Sequence, residues 1–204
     1  MDQKRVEIIM RASEVFMRYG IKSVTMDDLS RELGVSKKTI YKFFEDKNDL
    51  VCEILSQKLA LDRATCDNCM SAENAIEELL CIGNVVVDHL KDVNPSVFYD
   101  IKKYHPDAWR LIEEHKSGFI SENIRENIKR GIRENIYRKN VHPEIIARVY
   151  VASMDFIMNG DSFAWPEFKL DEVILEVQRF HLRGLANANG INYLNEKYNI
   201  QINE

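Results

Sequence analysis

One stretch, TMDDLSRELGVSKKTIYKFFEDKNDL from Thr25 to Leu50, restricts the possible folds more than any other part of the chain. Its first half carries apolar residues three and four positions apart, as one face of a helix does. The pattern ends at Gly34, a residue that adopts positive φ without steric cost. Thr25 is a candidate N-cap, and Asp28 three residues later completes a sequence close to a capping box. The sequence therefore predicts a short helix that stops at a tight turn.

The second half of the stretch predicts another short helix directly after the turn. Ser36 is its candidate N-cap, and Ile40, Phe43 and Phe44 are expected to point inward. The residues left to face outward are Lys37, Lys38, Thr39, Tyr41 and Lys42. Lysines pair with phosphates, and polar side chains at the start of a second helix meet base edges in DNA-binding helix pairs. We expect Asp46 to cap a further helix that has Lys47 in its first turn.

The run GVSKKTIYKFFEDKNDL resembles the DNA-binding signature of TetR-type transcriptional regulators. An amphipathic segment that ends near Gly20 and the run VTMDDLSREL precede it, so the resemblance covers about residues 3–55. It implies an all-α fold with a helix-turn-helix DNA-binding domain at 1–47 and a helical effector-binding and dimerisation domain at 48–204. The predicted DNA contacts, with Lys38 or Thr39 as base readers, are Thr25, Ser36, Lys37, Lys38, Thr39, Tyr41, Lys42 and Lys47.

The charge distribution agrees with a small DNA-binding surface. The net charge is −5, but residues 1–50 hold ten Lys and Arg against nine Asp and Glu, a local +1. Residues 51–204 hold eighteen against twenty-four, a local −6. A weakly basic head on an acidic body suits a DNA binder, although a solvated helical surface carries similar mixed charge. No apolar run approaches the ~18 residues of a membrane span, and charges interrupt the N-terminus, so we expect a cytoplasmic protein.

Helical periodicity continues along the rest of the chain, with no sustained alternation that would indicate a sheet. Residues 3–19 have Val6, Ile9, Ala12, Phe16 and Tyr19 at helical spacing. Further helices are predicted at 47–66, 72–92, 95–104, 106–135, 143–160 and 168–189, several of them starting near one of the four prolines. The tail at 191–204 is polar and receives no assignment.

The family resemblance implies a homodimer in which the segments 143–160 and 168–189 form a four-helix interface. Apolar stripes along both segments allow this, and the residues we place there are Val149, Ser153, Val177 and Phe180. The alternative is that these stripes face the protein's own core. Dimerisation is favoured because one helix pair contacts only one half-site, so two copies ~34 Å apart would bind a pseudo-palindromic operator.

The resemblance also implies a small-molecule effector held among the middle helices. The candidate lining residues are His89, Phe98, Tyr99, Tyr104, Trp109, Phe119, Met154, Phe156 and Met158. Any single aromatic residue at helical spacing is more often part of a core than of a ligand site. A set of apolar side chains with a few polar groups can nevertheless form a pocket. For His89, a hydrogen-bonded structural histidine is the favoured reading over a ligand contact.

Cys66 and Cys69 form a C-x-x-C pair, with Cys52 and Cys81 nearby in the sequence. This spacing fits half of a zinc site or a dithiol, but only Cys81 and His89, at irregular spacing, could complete the metal site. The favoured interpretation is small thiols in a reducing compartment, with a redox sensor as the alternative. We expect neither a metal nor another cofactor.

No catalytic motif is visible, since the sequence lacks a phosphate-binding glycine loop, G-x-S-x-G and H-E-x-x-H. The sequence therefore predicts a transcriptional regulator and not an enzyme, foremost a repressor that a small molecule releases from its operator. An activator or a thiol-responsive regulator on the same scaffold is the first alternative. A helical thiol enzyme is the alternative of another class, and steeply salt-dependent DNA binding would distinguish the regulator from it.

Overall fold

The computed structural model describes residues 2–90, 93–94, 96–158 and 168–198, and these ranges are predominantly helical. The helices are α1 Gln3–Tyr19, α2 Met26–Leu33, α3 Lys37–Tyr41, α4 Lys47–Cys69, α5 Ala75–Leu90, α6 Ser96–Tyr104, α7 Pro106–His115, α8 Ser121–Arg133, α9 Pro143–Met158, α10 Leu170–Leu185 and α11 Ala188–Tyr198. Within the described ranges there is no strand, which confirms the all-α prediction, and no helix is long and apolar enough to cross a membrane.

The predicted helix ends of the DNA-binding stretch are confirmed in atomic detail. Thr25 Oγ1 accepts from the backbone N–H of Asp28 at 3.1 Å, and the Asp28 carboxylate accepts from the Thr25 N–H at 2.9 Å. Gly34 ends α2 in the left-handed conformation with φ +67°. The Ser36 and Asp46 side chains cap α3 and α4 by accepting from N–H groups three residues ahead. Each bond satisfies an N–H group that has no partner within its own helix.

The first of two hydrophobic cores lies between α1 and the start of α4. Ile8, Phe16, Leu29, Ile40 and Phe44 are at most 1% exposed there. Leu50, Val51 and Ile54 of α4 belong to the same core, together with Val97 and Ile101 of α6 and Ala108 of α7. The core therefore extends beyond residue 47 and includes residues of α6 and α7 from the middle of the chain.

Direct hydrogen bonds join α6 and its neighbourhood to this first core. The buried Asp100 carboxylate accepts from the backbone N–H of Lys22 at 2.8 Å, and the Asn94 N–H donates to the Met17 carbonyl at 2.8 Å. His105 Nδ1 lies 3.1 Å from Asn48 Oδ1 at the start of α4. The DNA-binding helices are thus held by the body of the protein at several points as well as through α4.

The second core lies among α5, α8, α9, α10 and α11. Tyr137 is fully buried, and its hydroxyl donates to the Ala75 carbonyl at 3.1 Å beside Asn127. Its ring packs against Gly131, where any Cβ would overlap it. Gln178 of α10 donates to the Leu79 carbonyl of α5, which fixes α10 against α5. This second core is separate from the first, and α4 runs from the first core to a disulfide with α5, whose Ala75, Ile76 and Leu79 belong to the second.

Several predicted boundaries differ from the observed ones for local reasons. The predicted helix 106–135 consists of α7, a π-helical turn at Lys116–Ile120, and α8. The predicted helix 168–189 ends at Leu185, because Ala186 adopts an extended conformation and bridges Tyr137. The unassigned tail contains α11, whose Tyr193 and Tyr198 hydroxyls donate to Glu77. Tyr19, expected in the inner stripe of α1, is half-exposed.

Candidate nucleic-acid interface and apolar cavity

Helix α3 presents a polar outer surface on a tightly packed base. Ile40 on its inner face is fully buried, whereas Lys37, Lys38 and Lys42 are exposed and Tyr41 is 44% exposed. The Ser36 hydroxyl accepts from the backbone N–H of Thr39 at 3.0 Å and lies 2.8 Å from the Thr39 hydroxyl. Four of the five residues predicted to face outward are exposed, and Thr39 is partly buried. The contact of this helix with DNA stays a prediction.

One of these lysines has a partner within the protein. Lys37 Nζ lies 3.0 Å from a carboxylate oxygen of Asp27 on α2 and 6.0 Å from the centre of the Tyr41 ring. The hydrogen bond and charge of Asp27 raise the pKa of Lys37, so the lysine stays protonated. A phosphate that binds Lys37 has to compete with Asp27, since both ligands are anionic oxygens.

Lys47 occupies an unexpected position. Its ammonium group donates to the Ile21 carbonyl at 2.5 Å and to the Val24 carbonyl at 2.6 Å, and it lies 5.6 Å from the Phe16 ring centre. Burial lowers the pKa of Lys47. The sequence prediction placed this residue on a phosphate. Two of its three N–H groups stabilise the connection between α1 and α2, which leaves one for a phosphate, so the contact stays a prediction.

The four residues predicted at a dimer interface lie on α9 and α10 with different exposure. Val149 is 54% exposed and Phe180 is 80% exposed. Ser153 and Val177 are partly buried and face a small cavity between the two helices. Phe156, predicted as a pocket residue, is instead 56% exposed on α9. Exposed large apolar side chains on two adjacent helices form a surface suited to covering by another molecule.

An apolar cavity of about 80 Å³ lies in the C-terminal body. Residues of α4, α5, α7, the π-helical turn, α8 and α9 line it: Asp62, Thr65, Cys66, Cys69, Ile82, Val85, Val86, His115, Phe119, Ile120, Asn123, Ile124, Tyr150 and Met154. A smaller cavity of about 30 Å³ shares Val86, Tyr150 and Met154 with it and extends to α10. The side chains of α4, which starts in the DNA-binding core, thus reach a potential ligand site.

Three polar groups of the larger cavity, those of His115, Tyr150 and Cys66, remain uncharged near neutral pH. His115 Nδ1 accepts from Arg63 Nε at 3.4 Å, and burial lowers the pKa of His115. Burial raises the pKa of Tyr150 to about 12 and, with nearby Asp62, that of the Cys66 thiol to about 11. A neutral histidine, a phenol and a thiol can hydrogen-bond a ligand without a net charge.

The structure does not bring the nine predicted effector-pocket residues together at this cavity. Phe119 and Met154 line it. Tyr99 and Tyr104 are exposed on α6, each with a lysine over its ring, and Trp109 packs against the first core. Phe98 is partly buried on α6, and the side chain of Met158 lies outside the described residues. His89 pairs with Asp62 at 3.3 Å, which agrees with the favoured structural reading.

The cysteines form a pair that the sequence did not predict. A disulfide joins Cys69 at the end of α4 to Cys81 on α5, and Cys52 and Cys66 are free. In this structure Cys69 and Cys81 are therefore not free thiols, unlike the favoured interpretation, and Cys69 pairs with Cys81 and not with Cys66. The described residues contain no cluster of three or more side chains suited to a metal ion.

Sequence reasoning missed most of the cavity lining. Ile82, Val85 and Val86 occur in a run that reads as ordinary helix core, and Tyr150 stands beside the helix stripe that we assigned to dimerisation. One signal was available for Cys81: a second cysteine one short loop beyond the end of α4. Without knowledge of how α4 and α5 pack, it could not be preferred to Cys66.

Comparison with known proteins agrees with this architecture. The family model "Bacterial regulatory proteins, tetR family" matches residues 8–54, which cover most of α1, all of α2 and α3, and the start of α4. An uncharacterised HTH-type transcriptional regulator of Bacillus subtilis, YvaF, is 25% identical over 170 residues, covering 80% of this chain and 86% of its own. The HTH-type transcriptional activator FasR of Mycolicibacterium smegmatis is 27% identical, over 56% of this chain and 47% of its own.

Solved structures extend the likeness to the C-terminal body. The crystal structure of E. coli NemR in its reduced form matches 90% of this chain and 97% of its own with a TM-score of 0.71. The sequence identity is 12%, so this likeness concerns the fold. One conclusion follows from the family match over the DNA-binding helices. The relatives of this chain are regulators, and its fold is shared with NemR, which agrees with that conclusion. Residues 8–54 are a DNA-binding domain of the TetR family of bacterial regulatory proteins, and the chain is a DNA-binding transcriptional regulator.

Proposed function

We propose that this regulator is a homodimeric repressor that a small molecule releases from its operator. In this proposal residues 1–47 bind DNA and residues 48–204 bind the effector and the second copy, with α4 shared between them. The observation that carries the proposal is the exposed polar surface of α3 on a rigid, fully packed base. Such a base fixes the orientation of the side chains that enter the major groove.

Within this proposal, Lys38, Thr39 and Tyr41 contact the operator most directly. Lys38 is exposed and pairs with no carboxylate among the described ion pairs, so no internal partner has to be displaced. Lys37 and Lys42 bind phosphates, and Lys37 breaks its ion pair with Asp27 when it does so. Thr25 and Ser36 add hydroxyls near the same surface. Lys47 acts mainly within the protein, because its hydrogen bonds to the connection between α1 and α2 position α2.

The test is a fluorescence-anisotropy titration of DNA from upstream of the protein's own gene. Tyr41→Ala and Lys38→Ala are expected to weaken binding, with Lys38→Ala also lowering the slope of log K against log salt by about one. Lys139→Ala is the matched control, because Lys139 is exposed on the loop between α8 and α9, far along the chain from the DNA surface. Equal affinity of all three variants and the wild type would refute the proposed DNA contacts.

The exposed side chains of α9 and α10 support a dimer through these helices. Phe180 and Val149 expose apolar surface that a second copy would cover, consistent with a two-fold symmetric operator. Phe180→Glu is expected to shift the sedimentation coefficient from dimer towards monomer. Leu61→Glu, at a residue 58% exposed on α4, is the control and should leave the dimer intact. A wild-type protein that sediments as a monomer at micromolar concentration would exclude this interface.

The position of the cavity supports a route by which a bound effector changes DNA binding. Because α4 contributes both to the cavity wall and to the first core, a ligand that changes the packing of α4 alters the position of the DNA-binding helices. The ligand must bind the DNA-free conformation more tightly, by ~1–3 kcal/mol for a useful response. Effector candidates are compounds that raise the melting temperature of the protein. Equal affinity of such a compound with and without operator DNA would exclude this coupling.

An activator on the same scaffold is the second candidate, and the name of the M. smegmatis relative favours it. The two outcomes differ in a purified transcription reaction on the bound promoter. A repressor lowers the transcript yield as it is added, whereas an activator raises it. A third candidate, a thiol-responsive regulator, draws its support from the disulfide between α4 and α5.

A further inference from the structure

The disulfide cross-links two helices that line the larger cavity. Cys69 is in the last turn of α4 and Cys81 is in the middle of α5, and both helices form walls of the larger cavity. Cys69 is itself one of the lining residues. The bond therefore fixes the distance between two cavity walls at one point. At its other end, α4 buries Leu50, Val51 and Ile54 in the DNA-binding core.

The size of the cavity indicates what the bond does. A volume of about 80 Å³ is well below the ~300–1,000 Å³ of sites that hold drug-sized ligands. An effector of ordinary size exceeds this volume, so we expect the walls to move apart when it binds. The α4–α5 wall is the one with a covalent cross-link, so the disulfide opposes an enlargement on that side. The other described walls are held by non-covalent contacts.

The chemistry of the pair suits a reversible bond. A DNA-binding regulator works where the chromosome is, and thiols there are kept reduced, so disulfides in such proteins are usually transient and redox-sensing. Cys69 is 3% exposed, whereas Cys81 is partly exposed. A reagent can therefore reach one member of the pair while the other stays within the fold.

We propose that the Cys69–Cys81 disulfide is a redox latch on the effector cavity, closed by low-molecular-weight disulfides and opened by reducing thiols. This inference rests on the proposed effector function. In closing, the Cys81 thiolate attacks a disulfide RSSR, forms a mixed disulfide and releases RS⁻. The Cys69 thiolate then attacks the Cys81 sulfur and releases a second RS⁻. Two protein thiols are oxidised, one RSSR is reduced, and the two released thiolates take up the two thiol protons.

Cys66 is not a member of this pair, although it lies three residues before Cys69. Its thiol is free in the structure, where Cys81 pairs with Cys69. Cys66 remains part of the cavity wall in both redox states. Cys52 lies in the first half of α4, packed against the DNA-binding core, so it provides a cysteine control remote from the latch.

The test uses the full-length protein and the neutral fluorescent probe N-phenyl-1-naphthylamine, which is apolar and larger than the closed cavity. The protein is equilibrated with reduced or oxidised glutathione, and its free thiols are counted by alkylation and mass spectrometry. Four alkylated cysteines are expected in the reduced form and two in the oxidised form. Probe affinity is then measured for each form, and the reduced form is expected to bind about 5- to 150-fold more tightly, the usual range for coupled equilibria.

Variants identify the bond responsible. The double variant Cys69→Ser with Cys81→Ser should bind the probe as the reduced wild type does, regardless of glutathione. Cys52→Ser and Cys66→Ser should each keep the redox dependence. Equal probe affinity of the two wild-type forms, no probe binding by the reduced form, or failure of the pair to oxidise would each overturn the latch. DNA binding by the double variant tests the proposed regulator function separately, since that variant cannot form the bond.

Discussion

The two cores that α4 connects differ in how their buried polar groups are hydrogen-bonded. In the first core, Lys47 donates to two carbonyls and the Asp100 carboxylate accepts from a backbone N–H. In the second, His181 Nε2 is buried without a hydrogen-bond partner, and the ring of His181 lies 4.8 Å from that of Tyr150, which lines the apolar cavity. Satisfied polar groups and full packing favour one arrangement, whereas cavities and unpaired polar groups lower the cost of rearrangement. By this argument the second core rearranges more easily than the first.

The largest expected effect comes from emptying part of the first core. Leu50 is fully buried where α4 enters it, so Leu50→Ala should lower the free energy of unfolding by about 2–5 kcal/mol. Urea unfolding followed by circular dichroism measures this change. Leu61→Ala, at an exposed position of the same helix, should stay within about 0.5 kcal/mol of the wild type. A loss below about 1 kcal/mol at Leu50 would contradict the rigid packing assigned to this core.

The cross-link between α4 and α5 should have the next largest effect. Cys69 and Cys81 are separated by 12 residues, and closing a loop of this length stabilises a fold by about 3 kcal/mol in the chain-entropy model. The oxidised protein should therefore melt at a higher temperature than the reduced protein, by about 6–12 °C for a chain of this size. Cys52→Ser should show the same difference. Its persistence in Cys69→Ser with Cys81→Ser would mean that another bond is responsible.

Acid should weaken the second core through His181. Burial lowers the pKa of His181 to about 4 from an ordinary value of 6.5, so the folded protein binds fewer protons than the unfolded chain between these values. Stability is therefore lost as the pH falls through this window, by up to about 2 kcal/mol between pH 6.5 and pH 5. Urea midpoints measured at several pH values follow this loss. His181→Gln should reduce it but not abolish it, since burial also lowers the pKa of His105 and His115.

The contrast between the cores also explains which features the sequence made predictable. Caps at Thr25, Ser36 and Asp46 depend on residues three positions apart, so local sequence was sufficient to predict them. The role of Lys47 depends on carbonyls more than twenty residues away, and the Cys69–Cys81 bond depends on the packing of α4 against α5. Residues of six helical elements line the cavity. The periodicity of a single helix does not indicate which residues of other helices it contacts.

The smallest expected effect concerns a residue that is both a cap and a predicted DNA contact. Thr25→Ala removes the hydroxyl that accepts from the Asp28 N–H, which should lower the free energy of unfolding by about 1 kcal/mol. Thr25→Ser keeps the hydroxyl and should restore most of that stability. If Thr25 also binds a phosphate, Thr25→Ala should weaken DNA binding at temperatures where the variant is fully folded, and Thr25→Ser should not. DNA affinity unchanged in Thr25→Ala, with stability reduced, would leave this residue a structural role alone and confine the interface to α3.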